Sequence, residues 1–388
     1  MKKQLVPKGF YSWVRSVGIK AGNNTPDLAV ILSGLPAAAA AVFTKNDVVG
    51  EPIKIGQKHI RGGCLNAIVV NSKNANVATG AQGYQDALAM CQAVGKKFGT
   101  LTENVLPSST GVIGVRLPIK KIIDGIWSMD EHYPPFDAQA VATAIMTTDQ
   151  WPKFVSRRVG ASSAVIAGVA KGAGMISPNM ATMLAYFVTD ANLSSSSLKR
   201  ILKRAVDSSF NCISVDNDTS TSDTVAIMAN GGAGYADERL FEKTLTEMCI
   251  YLAKEIVRNG EGVTKLITIR VTDAASESQA KIVADTIAQS YLVKTAIYGC
   301  DANWGRIIAA AGRAGQQINP ENVVIYIGRK MVFKSGEPVA FSEGRLKEYL
   351  KGKQIEIRVH LGMGACAAQV WTGDLTEEYI RENASYRS

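Results

Sequence analysis

Histidine is scarce in this chain. Its 388 residues contain three, at positions 59, 132 and 360. His59 follows GQK, His132 lies in DEHYPP and His360 closes IEIRVH, and none adjoins a serine or cysteine in a nucleophile-like turn. A Ser-His-Asp or Cys-His mechanism therefore has little to draw on, and an enzyme built from this chain would take its base from elsewhere. The six cysteines (Cys64, Cys91, Cys212, Cys249, Cys300 and Cys366) are far apart, with no C-x-x-C and no paired Cys/His spacing. That argues against zinc and redox motifs and for the reduced thiols of a cytoplasmic protein. Long apolar runs are also missing: PAAAAAVF and SAVIAGVA are too short to span a bilayer. MKKQLVPKGFYSW has lysines but no apolar stretch behind them, so neither a signal peptide nor a membrane partner is expected. The net charge is +9, yet lysine and arginine are scattered and never form a basic block interleaved with aromatics. A solvated surface is the reading, with no nucleic-acid partner. The glycine clusters KGAGMIS, NGGAGYA and AAAGRAGQQ supply neither G-x-x-x-x-G-K-[ST] nor a G-x-G-x-x-G between strand and helix. They read as turns and close packing, and no cofactor is expected.

What is present suits a large folded protein of α/β class: 46% of residues are hydrophobic and 20% charged. Early β-rich runs, DLAVILSG, AAAAVFTKN and CLNAIVVNS, are separated by turns. DALAMCQAVGKKFG places Leu88, Cys91, Val94 and Phe98 at helical spacing, and DAQAVATAIMTTD predicts a helix ending at Thr147, Thr148 and Asp149. SSAVIAGVA reads as a buried strand, and MLAYFV as a strand buried on both faces. SSLKRILKRAVDSSF and the longer ERLFEKTLTEMCIYLAKEIVRNGEG predict amphipathic helices, the second closed by Asn259 and Gly260. From about residue 280 strands and short helices alternate, so the expected division is a main domain over 1–279 and a smaller α/β domain over 280–388.

Two segments invite a chemical reading. VDNDTSTSDT, residues 215–224, gathers aspartates and hydroxyls that would suit Mg²⁺ or Ca²⁺, but it lacks the EF-hand spacing and closing Glu. A hydrogen-bonded turn network is preferred, and no metal is expected. KGAGMISPNMATMLAYFVTD runs from a loose polar turn into an apolar strand, with Thr182 at the join. With histidine scarce, an N-terminal nucleophile is a consistent solution. A Thr hydroxyl attacks and its own α-amine, of unperturbed pKa about 8, serves as base. This requires cutting the chain before Thr182. On the segment alone, a strand threonine with its hydroxyl bonded to backbone remains the stronger reading.

The wider pattern weighs differently. KGAGMISPNMATML resembles the autoproteolytic site of the ornithine acetyltransferases, also called glutamate N-acetyltransferases, of arginine biosynthesis. FTKN, NSKNANVATG, PSSTGVIG, AIMTTD, DNDTSTSDT, NGEGVTK, VKTAIYGCDANWGRI and NASYRS extend the likeness, in order, over essentially the whole chain. The resemblance implies a four-layer α/β/β/α sandwich with a smaller C-terminal α/β domain. It also implies self-cleavage between Ala181 and Thr182 and an α2β2 heterotetramer of the cut chains. Thr182 would then carry acetyl from N2-acetyl-L-ornithine to L-glutamate in a ping-pong cycle, with the Thr110 hydroxyl and the Gly111 N–H as oxyanion donors. Substrate contacts carry over to Thr148, Lys171, Thr182, Glu261, Asn383 and the terminal Ser388. Some members also use acetyl-CoA, and a related N-terminal-nucleophile aminopeptidase or amidase is the other alternative. Lys73 and Val77 stand where glycine and cysteine are more familiar, Asn217 and Ser222 where glycine and asparagine are, and Ser388 where threonine is commoner.

Overall fold

The structure, a computed structural model, describes residues 4–22, 24–177 and 183–385. Within them, β1 (Phe10–Arg15), β2 (Leu28–Phe43), β3 (Cys64–Asn71), β4 (Val105–Ser109), β5 (Lys153–Arg158), β6 (Val165–Lys171) and β7 (Leu184–Asn192) fall in one sheet. After the short β8 (Ile213–Ser214), β9 (Thr224–Tyr235) completes that sheet of eight strands in the order β4-β3-β2-β9-β7-β6-β5, with β1 on β2. The strand β8 belongs to a second sheet, together with β10 (Leu266–Ala274), β11 (Val324–Ile327), β12 (Lys330–Lys334), β13 (Glu337–Pro338), β14 (Gln354–His360) and β15 (Cys366–Gly373). Its order is β13-β12-β11-β14-β10-β15-β8. The fold is thus mixed α/β, with two sheets and helices packed on them.

The expected break between DLAVILSG and AAAAVFTKN is not a turn. Both runs lie in β2, a single strand of 16 residues whose register against β3 slips between Leu32 and Ala37. Pro36 sits in that irregular stretch, where its missing N–H interrupts no ladder bond. MLAYFV behaves as read: every residue of β7 from Leu184 to Ala191 is buried. Its odd and even positions serve different cores. Leu184, Tyr186 and Val188 meet Ile31, Ile68 and Val70 of β2 and β3 in one apolar cluster. Ala185 and Phe187 face a second cluster with α5 (Ser195–Asp207) and α6 (Glu238–Arg258). On the far side of β2 and β3, Val30, Ala67 and Val69 pack against α2 (Gly80–Phe98) and α3 (Ile119–Trp127). Burying each large apolar side chain contributes about 1.5–3 kcal/mol, so β7, apolar on both faces, is a rigid base for what precedes it.

The helices α1 (Glu51–His59), α2 and α3 start without a side-chain cap, but several later ones, α10 (Glu343–Leu350) among them, begin where a side chain satisfies a free N–H group. Ser194 accepts from Ser197 N–H ahead of α5, and Asp237 from Arg239 and Leu240 ahead of α6. DAQAVATAIMTTD forms a shorter helix than expected, α4 (Ala138–Ala144), leaving Thr147, Thr148 and Asp149 in a loop. The second sheet has its own core, in which Ile269, Ile357 and Val359 meet α7 (Glu277–Ala288) and α9 (Trp304–Gly312). Its strand β10 precedes residue 280 in the chain. No helix among the described residues is long and apolar enough to cross a membrane.

Candidate active site

Immediately after β4 the chain turns at Thr110 and Gly111. Thr110 N–H donates to Asn71 O at 3.0 Å, which presses this turn against the loop that follows β3. Gly111 has φ +133°, and a Cβ there would overlap the carbonyl carbon of Lys73, so only glycine fits. The facing loop is itself strained: Lys73, Asn76 and Ala78 all have positive φ. It is held by Asn71 Nδ2 donating to Asn74 O (2.9 Å), Asn76 Nδ2 to Gly83 O (2.9 Å) and Lys73 Nζ to Met146 O (2.8 Å).

At the end of β6 lies Lys171, only 2% exposed. Its ammonium donates to Thr147 Oγ1 at 2.8 Å and to Thr110 Oγ1 at 3.2 Å. Burial pushes its pKa down, opposed by Asp149 and Glu261 and reinforced by Lys153 and Lys73. Behind it, Asp149 accepts Lys153 Nζ (2.5 Å) and Gly172 N–H (2.8 Å) on Oδ1, and Thr147 N–H (2.9 Å) on Oδ2. Burial alone would raise the Asp149 pKa, but Lys153, Lys171 and the Gly172 N–H outweigh it and hold the carboxyl well below its usual range.

Glu261 follows α6 and is 6% exposed. Asn383, on α11 (Glu377–Ser385), donates to its Oε2 at 2.9 Å. Gly174 is needed here, because a Cβ would stand 2.5 Å from that same carboxylate oxygen. These residues line one cavity of about 180 Å³, together with Lys20, Lys73, Thr148 and Tyr379. That is below the ~300–1,000 Å³ of sites for drug-sized ligands and suits a small polar molecule.

The segment VDNDTSTSDT forms a turn network against both flanks of residues 178–182. Asp216 accepts Met175 N–H (2.6 Å) and Ile176 N–H (2.7 Å), and Val215 N–H donates to Ile176 O (2.7 Å). Seven residues on, Asp223 Oδ1 accepts Met183 N–H at 3.0 Å, and Thr224 N–H donates to Met183 O at 3.2 Å. Burial raises both carboxyls. Asp216 is pushed up to about 6 against the backbone N–H groups it accepts. Asp223 is also raised, well above the usual carboxylate range, against Met183 N–H, the Ser220 hydroxyl and the charge of Lys171.

Of the expected site residues, Thr110, Gly111, Thr148, Lys171, Glu261 and Asn383 line this cavity. Ala181, Thr182 and Ser388 lie outside the described residues. Sequence reading did not single out Thr147 as the partner of Lys171, nor Asp149 and Lys153, whose buried ion pair has no sequence signature beyond an i, i+4 spacing that is usually an exposed pair. Asp216 and Asp223 were visible only as part of an acidic, hydroxyl-rich run.

A family model described as the ArgJ family matches residues 12–388. The arginine biosynthesis bifunctional protein ArgJ 2 of Clostridium acetobutylicum is 45% identical over 388 residues, covering 100% of this chain and 99% of the relative. The arginine biosynthesis bifunctional protein ArgJ of Bacillus subtilis is 43% identical over 392 residues, covering 98% and 96%. Among solved structures, ornithine acetyltransferase from Mycobacterium tuberculosis, complexed with ornithine, is 33% identical and covers 46% of this chain and 96% of its own, with a TM-score of 0.40.

Proposed function

The chain belongs to the ArgJ family and is an acyltransferase of arginine biosynthesis, and from that premise we propose the following cycle. The protein cuts itself between Ala181 and Thr182, then moves the acetyl group of N2-acetyl-L-ornithine to L-glutamate through an ester on Thr182. The Thr182 hydroxyl oxygen attacks the acetyl carbonyl and its proton passes to the new α-amine. The resulting oxyanion takes hydrogen bonds from the Thr110 hydroxyl and the Gly111 N–H. Collapse breaks the amide bond, and the α-nitrogen of ornithine leaves with the proton. The α-amine of glutamate then attacks the ester, giving N-acetylglutamate and free Thr182. An α-amine of pKa about 8 can serve as this base near neutral pH.

The observation that carries this reading is the convergence on one cavity of Thr110, Gly111, Thr148, Lys171, Glu261 and Asn383, contributed by widely separated stretches of chain. An ammonium has three donors. Lys171 spends two on Thr147 and Thr110, leaving the third, with Thr148, for a substrate carboxylate. Glu261 and Asn383 suit a substrate amino group, and Ser388 is assigned to the same contact set. The relatives' names call them bifunctional, which supports acetyl-CoA as a second donor to the same ester.

The same reading includes a four-layer α/β/β/α main body. Its support is that the one eight-stranded sheet carries α2 and α3 on one face at β2 and β3 and α5 and α6 at β7. The apolar cluster shared by β2, β3 and β7 lies on the opposite face of each. A main unit of residues 1–279 and a smaller one of 280–388 are proposed as folding units, with β8 and β10 of the first adding to the sheet of the second. An α2β2 assembly and a cytoplasmic location complete the reading, the latter supported by six unpaired cysteines.

Two measurements test it. Purified protein should run as two bands on a denaturing gel, and Thr182→Ala should give one. With N-acetylornithine and no glutamate, about one equivalent of ornithine per cut chain should appear and then stop until glutamate is added. Sustained release without glutamate would mean that water is the acceptor, and would replace the transferase with an amidase.

A further inference from the structure

We propose that the buried Asp149–Lys153 ion pair is a positioning unit for the oxyanion hole, acting through Thr147 and Lys171 on the hydroxyl of Thr110. This rests on the reading of Thr110 and Gly111 as oxyanion donors given above.

A hydroxyl that accepts from an ammonium must turn its own proton elsewhere. Thr110 Oγ1 accepts from Lys171 Nζ at 3.2 Å, so the Thr110 proton is directed away from Lys171 and remains available to the cavity. The direction of the ammonium is set in turn by Thr147 Oγ1, at 2.8 Å. Both ends of that contact are pinned by one carboxylate. Asp149 takes the Thr147 N–H on one oxygen (2.9 Å) and, on the other, the N–H of Gly172, the residue after Lys171 (2.8 Å). Lys153 then fixes Asp149 itself, at 2.5 Å, with both side chains fully removed from water. Its place is at the start of β5, paired in register with Ala170 of β6, next to Lys171. The carboxylate is therefore referenced to the sheet and not to the loop.

The energetics also favour a role beyond stability. Desolvating two ions costs several kcal/mol each, and apolar residues of similar size often pack as well or better. An ion pair kept here gives the site a fixed, directional anchor that apolar side chains cannot supply. It also sets the charge around Lys171. The groups that face this ammonium are Asp149 from the loop after α4, Lys153 from β5, Glu261 after α6, Lys73 after β3 and Asp223 before β9. Asp149 is the strongest of the influences that keep it protonated.

The test uses the self-cut protein and the single-turnover release of ornithine from N-acetylornithine, scaled to the amount of cut chain. In Asp149→Asn/Lys153→Met both charges go together, so neither is left buried alone. Thr147→Val is the second variant, which keeps the ion pair and removes only the hydroxyl that orients Lys171. Both should lower the turnover rate by about 10–100-fold, less than the ~10²–10³ of deleting an oxyanion donor. The fall in rate should exceed any rise in the KM for N-acetylornithine, because the oxyanion contact of Thr110 is made only in the transition state, whereas the carboxylate contact of Lys171 also counts in the ground state. In the double variant the alkaline limb of the rate profile should shift to lower pH, because losing Asp149, the stronger influence on Lys171, outweighs losing the opposing charge of Lys153. A purely structural pair would lower yield and melting temperature and leave that limb in place. Wild-type rates and profile in both variants, or a rise in KM at constant turnover, would overturn the proposal. Should the double variant not fold, an unchanged rate in Thr147→Val overturns it by itself. A wild-type protein with no burst at all would instead remove the transferase reading on which it stands.

Discussion

Asp216 and Asp223 are carboxylates that water scarcely reaches, at 9% and 0% exposure, and each accepts backbone N–H groups on one side of residues 178–182. For Asp216 the consequence is a definite pH dependence. Its folded pKa, about 6, lies above the unfolded value near 3.8. The folded state holds a proton that the unfolded chain has lost, so the stability from this group is present below pH 4 and disappears as pH rises through 6. The gap of about two units corresponds to roughly 3 kcal/mol at most. Urea unfolding at pH 4.5 and 7.5 should therefore show the wild type losing ground to Asp216→Asn at the higher pH, and a constant difference would contradict the assignment. At this scale the sequence was unevenly legible. Thr110, Gly111, Lys171, Glu261 and Asn383 stood out because they lie in motifs that could be matched, and the structure gathers them around one cavity. Thr147 and Asp149 were read only as the end of a helix. Which of two adjacent threonines faces Lys171 depends on loop dihedrals, and no periodicity encodes those.

Among the elements, α11 is the most exposed to a simple experiment. None of its described side chains is buried, so it adds little to the apolar core. Yet it supplies Asn383 to Glu261, lines the cavity with Tyr379, and is tied down by Tyr298 Oη donating to Glu377 at 2.7 Å. Truncation after Thr376 should leave the melting temperature nearly unchanged and the gel still showing two chains. The same protein should have a KM for N-acetylornithine raised by about 10-fold, the equivalent of one lost polar contact of ~1.4 kcal/mol. A truncated protein with unaltered KM would place substrate binding elsewhere. Strongly periodic elements such as α2, α5, α6 and β7 could be read directly, since a stripe or a continuous apolar run declares its face. β2 could not, because the proline-containing stretch that marks a turn in most sequences is here a local slip in one long strand.

For the molecule as a whole, the second sheet is more closely joined to the site than a division at residue 280 suggests. Lys294, on α8 (Tyr291–Tyr298), is 1% exposed and donates to the carbonyl of Val215, next to Asp216. Burial pushes its pKa down to about 8, against the pull of Asp216 and Asp374. β8, only two residues long, pairs in parallel with Trp371 and Thr372, a contact between distant stretches that no local pattern announces. The order of the first sheet has a consequence for the life of the protein after it is cut. Strands β9 and β7, which follow the proposed break, lie between β2 and β6, which precede it. Maturation thus leaves two polypeptides woven into one sheet that neither can complete alone. The uncut chain can assemble that sheet by itself, whereas the cut pair must find each other first. Denatured and diluted wild-type protein should regain activity in a concentration-dependent way and mostly fail when dilute. Thr182→Ala should recover its native circular dichroism at any dilution, and equal recovery by both would show that the break does not separate the strands. A single hydrolysed bond would then act as a one-way clock: the enzyme is easy to make once and hard to remake.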